Sequence, residues 1–380
     1  MEVFERLIEN PLWFIPLLFI LAFLVQMIYY LGIYSAVVFY SEKTGDPESY
    51  PPVSVIICAR DEQDNLESNL PEVLEQDYPE YEVIVVNHGS GDDTDMVLQR
   101  FEQQYDHLKS TEIKRDQKFT HNKKLAVTVG IKKAAYEWLL FTDADCQPQS
   151  KQWIRSMAKN FDDKAEVVLG YGGYAQKNGW VNHLIRFDTL TIALQYFACA
   201  LRGFPYMGVG RNLAYRKSLF FRNKGFAGHY HLESGDDDLF VNQTANKNNV
   251  RVQISGGSKT VSEPRTSLPG WFRQKKRHLT TGSRYHGKTR FLLITELISR
   301  LVFYVTFILG LVYFTSYYPF LLAIFLIRLA VQIFDYKGIM KRVGEKNLLL
   351  PLIFYDIFLP FINFMGIISN KISSNNRQWK

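Results

Sequence analysis

From Pro11 to Tyr40 the chain carries no charged residue. A helix that is apolar on every side belongs in the core of a large protein or in a bilayer, and about 20 such residues cross a hydrocarbon core. This run is long enough to span with tilt. It is too long for a cleavable signal, and its flank sets Glu2, Glu5 and Glu9 against Arg6, so it reads as a permanent anchor. Three further apolar segments follow near the other end: Phe291–Phe314, Tyr317–Ile333 and Leu348–Ile368. Seven Lys/Arg within Arg273–Arg290 and four within Lys337–Lys346 put both stretches on the cytoplasmic side, so the two segments between them form a hairpin. The last segment either spans or lies in the interface. Arg300 and Arg328 are expected to snorkel to the headgroups; the alternative is that Glu296, Arg300, Arg328 and Asp356 line a groove for an amphiphilic acceptor. The chain therefore reads as an integral membrane protein, placed in the cell inner membrane with its polar middle in the cytoplasm.

That middle, from Pro51 to about Thr260, alternates strand and helix patterns. Val53–Cys58 and Tyr81–Val86 are continuous apolar, β-branched runs, as buried parallel strands require. Helical patterns follow at Leu66–Glu75, Asp93–Tyr105 and Lys123–Tyr136, and Trp138–Thr142 is a further strand. Such alternation predicts an α/β domain whose mostly parallel sheet is covered on both faces. Ligands bind these sheets at the carboxyl ends of the strands. Ala59–Glu62, Asn87–Ser90 and Asp143–Asp145 all stand at such ends. The net charge of +6 sits beside the apolar segments rather than in a basic stripe with interleaved aromatics, which argues against nucleic acid as a partner. Cys58, Cys146 and Cys199 share no metal-ligand spacing and imply no disulfide framework.

Three polar clusters interrupt the middle: FTDADC at 141–146, GDDD at 235–238 and QKKRH at 274–278. Two carboxylates separated by one small residue at a strand end, Asp143 and Asp145, can hold a divalent cation and the diphosphate it neutralises. Three adjacent aspartates repel, so one of them should have a raised pKa. Lys124, Lys132 and Lys133 read as a solvated helix face. The stretch around Trp271 and Phe272 reads as an interfacial helix, apolar side in lipid and basic side toward phosphates.

In combination these motifs resemble the family-2 glycosyltransferases, membrane-bound enzymes of GT-A fold that use nucleotide sugars and invert the anomeric centre. PPVSVIICARDEQDNL is similar to that family's first strand and nucleotide turn, and EVIVVNHGSGDDT to its second strand. HNKKLAVTVGIKKA resembles its lysine-led helix, FTDADC its D-x-D, and GVGRNLAYRKSLF the segment shaping the donor and acceptor pocket. SGDDDLF stands where the family has a Glu-Asp base motif, and RQKKRH where membrane members have Q-x-x-R-W. The chain departs at Asn87 and His88, where the family has paired aspartates; at Gly235, where it has glutamate; and at His278, where it has tryptophan. The layout is also similar to that of ceramide glucosyltransferases and polysaccharide synthases.

The resemblance implies a fold and a division of labour. The fold is a GT-A domain with one N-terminal and about three C-terminal transmembrane helices. Its parts are an anchor at 1–46, the catalytic domain at 47–270, a basic interfacial segment at 271–290 and a transmembrane bundle at 291–380. Asp145 would be the metal ligand, with Asp143 supporting it or accepting from the ribose, and the cofactor Mg2+ or Mn2+. Asp236 would be the catalytic base by its spacing to Leu239, with Asp237 as the alternative. Ala59, Arg60, Glu62, His88, Lys123 and Asp143 would bind the nucleotide. Gly210, Asn212, Gln274, Arg277 and His278 would face the acceptor and the departing diphosphate. The partners implied are a nucleotide-diphospho-sugar, UDP-sugar foremost, and a lipid or lipid-linked acceptor in the membrane. A processive polysaccharide synthase and a non-catalytic membrane-anchored nucleotide-binding protein are the competing readings.

Overall fold

The computed structural model describes residues 10–42, 45–114, 123–232 and 234–372. The charged flank Glu2–Glu9, and His121 and Asn122 of the lysine-led motif, lie outside the described residues.

Among the described residues, ten strands form two sheets. They are β1 (Val53–Ala59), β2 (Tyr81–Asn87), β3 (Leu108–Glu112), β4 (Trp138–Asp143), β5 (Cys146–Pro148), β6 (Val167–Leu169), β7 (Gly172–Tyr174), β8 (Leu213–Arg216), β9 (Val250–Val252) and β10 (Thr260–Ser262). The main sheet runs β3-β2-β1-β4-β8-β6-β9, and a small sheet runs β5-β10-β7. Strands β1 to β4 are mutually parallel, and β8 runs antiparallel to both of its neighbours. The chain builds outward from β1 through β2 to β3 and then returns to lay β4 on β1's other side. That reversal is the topological switch point of the sheet, the usual place for a ligand crevice. Register brings Cys58 level with Asp143 and Ala59 level with Asn87, so three polar strand ends open on one edge.

All seven residues of β1 are buried. Its side chains alternate between two cores, as a strand covered on both faces must. Val53, Val55, Ile57 and Ala59 join Leu66, Leu98 and Trp153 under helices Gln63–Leu74, Thr94–Glu102 and Trp153–Ala158. Ile56 and Cys58 face the other way, toward helices Lys123–Lys133 and Trp180–Leu201. This second core also contains Tyr29, Tyr30, Tyr336 and Leu352 from the terminal apolar helices, so the sheet domain and the helical bundle share packing.

Among the described residues, five helices are long and apolar enough to cross a membrane. Four are terminal: Pro11–Phe39, Gly287–Tyr313, Thr315–Val343 and Leu352–Asn370, with 22 to 33% of their apolar windows buried. The fifth, Trp180–Leu201, is 78% buried and forms the central pillar of the domain. Its apolarity serves protein packing, which composition alone does not distinguish from lipid contact.

The bundle corrects two expectations. Arg300 and Arg328 do not snorkel. Both are buried, and they converge on Asp356, at 3.1 Å and 2.8 Å. Glu296 pairs with Arg300, the Tyr304 hydroxyl donates to Asp356 at 2.5 Å, and Arg328 donates to Gln26 Oε1 at 2.9 Å. A buried charge is costly unless paired, and here two cations and two anions from three helices cancel. Trp271, expected on a lipid-facing side, is instead buried in the domain's core.

Candidate active site

The cleft opens at the β1–β4 switch point, lined by Lys123, Asp143, Gly210, Tyr215, Asp236 and Asp237. Lys123, the first residue of its helix, donates to Asp143 and lies 3.7 Å from Asp236. One ammonium thus ties the end of β4 to the acidic cluster far along the chain. Burial works against the charges of Lys123 and Asp143. Their mutual attraction keeps the lysine protonated and the carboxyl below its ordinary range, with Arg211 and Arg277 adding to the latter effect.

Asp145 is pushed the other way, upward, by burial and by the adjacent Asp143. Ligand atoms of Asp143, Asp145 and Cys146 lie within 4.8 Å of one another. Burial and the two carboxylates push the Cys146 thiol well up, and its sulfur shares a hydrogen bond with Ser262 at 2.9 Å. The thiol stays protonated, so the usable donors are two carboxylates. This hard oxygen set suits Mg2+ or Mn2+ rather than a thiophilic metal.

The three aspartates of GDDD have separate surroundings. Asp236 faces Lys123. Asp237 accepts the Gly210 amide at 2.7 Å and the Asp238 amide at 2.7 Å, and it caps helix Asp238–Thr244. Burial, then Asp236 and Asp238, raise its pKa to about 7. Asp238 turns away from the cleft. It accepts from Tyr285 at 2.7 Å and from Thr281, fastening the acidic cluster to the loop after helix Leu268–His278. Gly235 has φ +101°, and a Cβ there would lie 2.5 Å from Leu239 Cδ1. A glutamate at this position would strain the turn, so the departure from the family pattern has a backbone cause.

The other predicted positions divide by where their polar atoms go. The Ala59 carbonyl accepts the His88 amide at 2.8 Å, locking the ends of β1 and β2 together, and His88 is buried. Arg60 and Glu62 continue from β1, and Glu62 accepts from Asn65 at 2.5 Å. Asn212 is wholly engaged inside the fold. It donates to the carbonyls of Tyr171 at 2.9 Å and Ser258 at 2.6 Å and accepts from Trp153 at 3.1 Å, so it braces the loop that carries Gly210. Gln274 donates to the Tyr174 hydroxyl at 3.2 Å. The His278 imidazole is pushed down by loss of hydration and by Arg277, Arg211, Lys275 and Lys123; part of the ring still reaches solvent, and it stays neutral.

Lys124 corrects the sequence reading. It is buried rather than solvated, and it donates to the carbonyls of Leu232 at 2.5 Å and Ser234 at 2.6 Å, fixing the loop before Asp236. Its spacing to Val127 and Ile131, both core residues, is the signal that marks the inward face. Arg211 was also missed. It stacks over Tyr174, 4.3 Å from the ring centroid, and its charge reaches Asp143 and Asp145. Lys275, read as part of a basic surface, forms a buried ion pair with Asp188 at 2.7 Å and so anchors the helix carrying Gln274, Arg277 and His278.

Comparison with known proteins agrees with this geometry. Residues 54–224 match the family described as glycosyl transferase family 2. Glycosyltransferase AglE of Haloferax volcanii is 37% identical over 144 residues, which cover 37% of this chain and 45% of that protein. A poly-beta-1,6-N-acetyl-D-glucosamine synthase of Staphylococcus epidermidis is 28% identical over 146 residues, covering 36% of this chain and 32% of the synthase. The chain thus spans less than half the length of these relatives. The mannosyltransferase PcManGT of Pyrobaculum calidifontis, solved in complex with GDP-Man and Mn2+, superposes with a TM-score of 0.62 over 95% of this chain and 99% of that one, at 17% identity. From β1 through the DxD strand to the helix after β8, the chain carries a glycosyl transferase family 2 domain of GT-A fold over residues 54–224.

Proposed function

We propose that the chain is a membrane-bound inverting glycosyltransferase that moves a sugar from a nucleotide-diphosphate donor to a lipid or lipid-linked acceptor. The observation that carries this reading is Lys123, which touches Asp143 at one end of the cleft and approaches Asp236 at the other. A sugar diphosphate fits between a carboxylate pair and a base only if both share one pocket.

Asp237 is the base. Its pKa of about 7 suits a general base, and the Gly210 amide fixes its carboxylate, whereas Asp236 faces Lys123 at 3.7 Å. The acceptor oxygen bonds to the anomeric carbon as the bond to the β-phosphate oxygen breaks. That electron pair leaves with the nucleoside diphosphate, and the hydroxyl proton passes to Asp237. Asp145, supported by Asp143, would hold Mg2+ or Mn2+, which when bound neutralises charge on the departing diphosphate. Lys123, Arg211 and Arg277 supply fixed positive charge around the same point. Ala59, Arg60, Glu62 and His88 hold the nucleotide, while Gln274 and neutral His278 border the acceptor. UDP-sugars are the first donors to test; GDP-mannose is next, because PcManGT was solved with it.

The test is a screen of nucleotide sugars for divalent-dependent thermal stabilisation of the full chain in detergent, followed by mass analysis of lipid products. If no donor stabilises the chain in the presence of either metal, the reading fails. The likeness to a polysaccharide synthase supports a second reading, processive polymerisation. A ladder of product lengths would establish it over single transfer.

A further inference from the structure

Where Gly172–Tyr174 leaves the small sheet, the chain turns along a second cavity of about 480 Å³, within the range typical of small-molecule sites. Tyr174 holds Gln274 at the edge of the catalytic cleft, and Gln176, two residues on, already lines this cavity. The opposite wall is Asn347, Pro351 and Tyr355, at the entrance to the apolar helix Leu352–Ile372. The cavity therefore adjoins both the strand that holds Gln274 and the start of the last apolar helix.

Its chemistry is neutral. Arg186 is spent on Glu345 at 2.6 Å, and Lys177 pairs with Glu263 at 3.1 Å. Lys259, the other cation on Glu345, does not line the cavity and lies beside the Tyr171 ring. A phosphate would have to draw Arg186 away from the buried Glu345. The remaining polar groups are the amides of Gln176, Asn178 and Asn347, the Tyr355 hydroxyl and the His183 imidazole. His183 Nε2 donates to the Asn347 carbonyl, which only accepts, and Nδ1 is the ring's other polar atom. That Nδ1 is buried and has no hydrogen-bond partner. A buried polar atom of this kind calls for a partner. Trp180, 61% exposed, lines one side, and the neighbouring Leu350 is 99% exposed just ahead of the last helix. Exposed amides and an exposed indole are groups that bind sugar hydroxyls and stack against a sugar's C–H face. Leu350 and Phe354, exposed apolar residues next to the lining residues Pro351 and Tyr355, suit an acyl chain.

We propose that this cavity binds the sugar headgroup of a membrane glycolipid, its acyl chains lying along helix Leu352–Ile372, and that this lipid is the acceptor class. The acceptor role rests on the glycosyltransferase reading; the binding itself does not.

The test uses the full chain in a sugar-free zwitterionic detergent, titrated with short-chain monoglucosyl diacylglycerol and, separately, with phosphatidylglycerol of equal chain length. Binding is read from tryptophan fluorescence and thermal stabilisation. The glucosyl lipid is expected to bind and phosphatidylglycerol not to compete. Trp180→Ala and Gln176→Ala, both at exposed positions, are each expected to weaken binding, the first about tenfold, with nucleotide affinity unchanged. Equal binding of phosphatidylglycerol, or parental glucosyl-lipid affinity in both variants, overturns the proposal. Glucosyl-lipid binding without any nucleotide-sugar binding would leave the cavity assignment standing and remove the transferase reading. Transfer to a lipid that both variants use as well as the parent does the reverse.

Discussion

In the bundle, Asp356 receives Arg328 at 2.8 Å, Tyr304 at 2.5 Å and Arg300 at 3.1 Å, while Glu296 holds the far side of Arg300. In the cleft, Asp236 and Asp237 are neighbours, Lys123 is 3.7 Å from the first, and the second rests on a backbone amide. Both regions use acids and bases taken partly or wholly out of water. The network around Asp356 pairs two cations with two anions and so joins helices. The cleft leaves Asp145 and Asp237 with raised pKa values and an excess of negative charge, the arrangement expected where a cation and a proton arrive as part of the chemistry.

The comparison is broken most directly at Asp237. Asp237→Asn is expected to lower transfer by about 10²- to 10⁴-fold while donor binding and melting temperature stay near parental values. Single-turnover kinetics on the purified chain checks this, and a parental rate would remove Asp237 from the base role. The matching cut in the bundle is Asp356→Leu. It leaves Arg328 without a carboxylate while Arg300 keeps only Glu296, and should cost about 3–5 kcal/mol, seen as lost yield of folded protein rather than a changed pH profile. Asp145→Ala should abolish the divalent dependence of donor binding by calorimetry and leave metal-free stability intact or higher.

A smaller effect is expected at Lys124→Met, which leaves the Leu232 and Ser234 carbonyls without their donor. About 1–3 kcal/mol of stability should be lost, together with ordering of the acidic loop, measurable by hydrogen exchange. The pH dependence sharpens the contrast further. Asp237 must be deprotonated to act, so transfer should rise with pH through about 7 and level off above it. Stability without metal should move oppositely. A carboxyl raised from 3.8 to about 7 stabilises the fold fully below the lower value, and that contribution is lost as pH rises through the upper one. Asp237→Asn should flatten this slope, and thermal melts across the window provide the measurement.

Much of this was legible in order along the chain. The β-branched runs of β1 and β2, the charge-free run at Pro11–Tyr40 and the Asp143–Asp145 pair are local patterns, and each marks its element within a few residues. Partners across the fold were not legible. Arg300 and Arg328 looked like snorkelling cations because their counter-ion, Asp356, comes from a different helix. Lys124 looked solvated because the carbonyls it holds lie in a distant loop. Trp180–Leu201 has the length and composition of a membrane span but stands inside the domain, because packing against a sheet and packing against lipid require the same apolar surface.

Sequence alone marked the alternation of strand and helix, the long apolar helices and the residue types of the cleft, because periodicity and charge-free length act over neighbouring residues. Only the tertiary structure decided which charges are cancelled and which stay in excess. Parallel register at the switch point carries the end of β4 to Lys123 and the acidic loop, and electrostatic balance depends on those distances through space rather than on spacing along the chain.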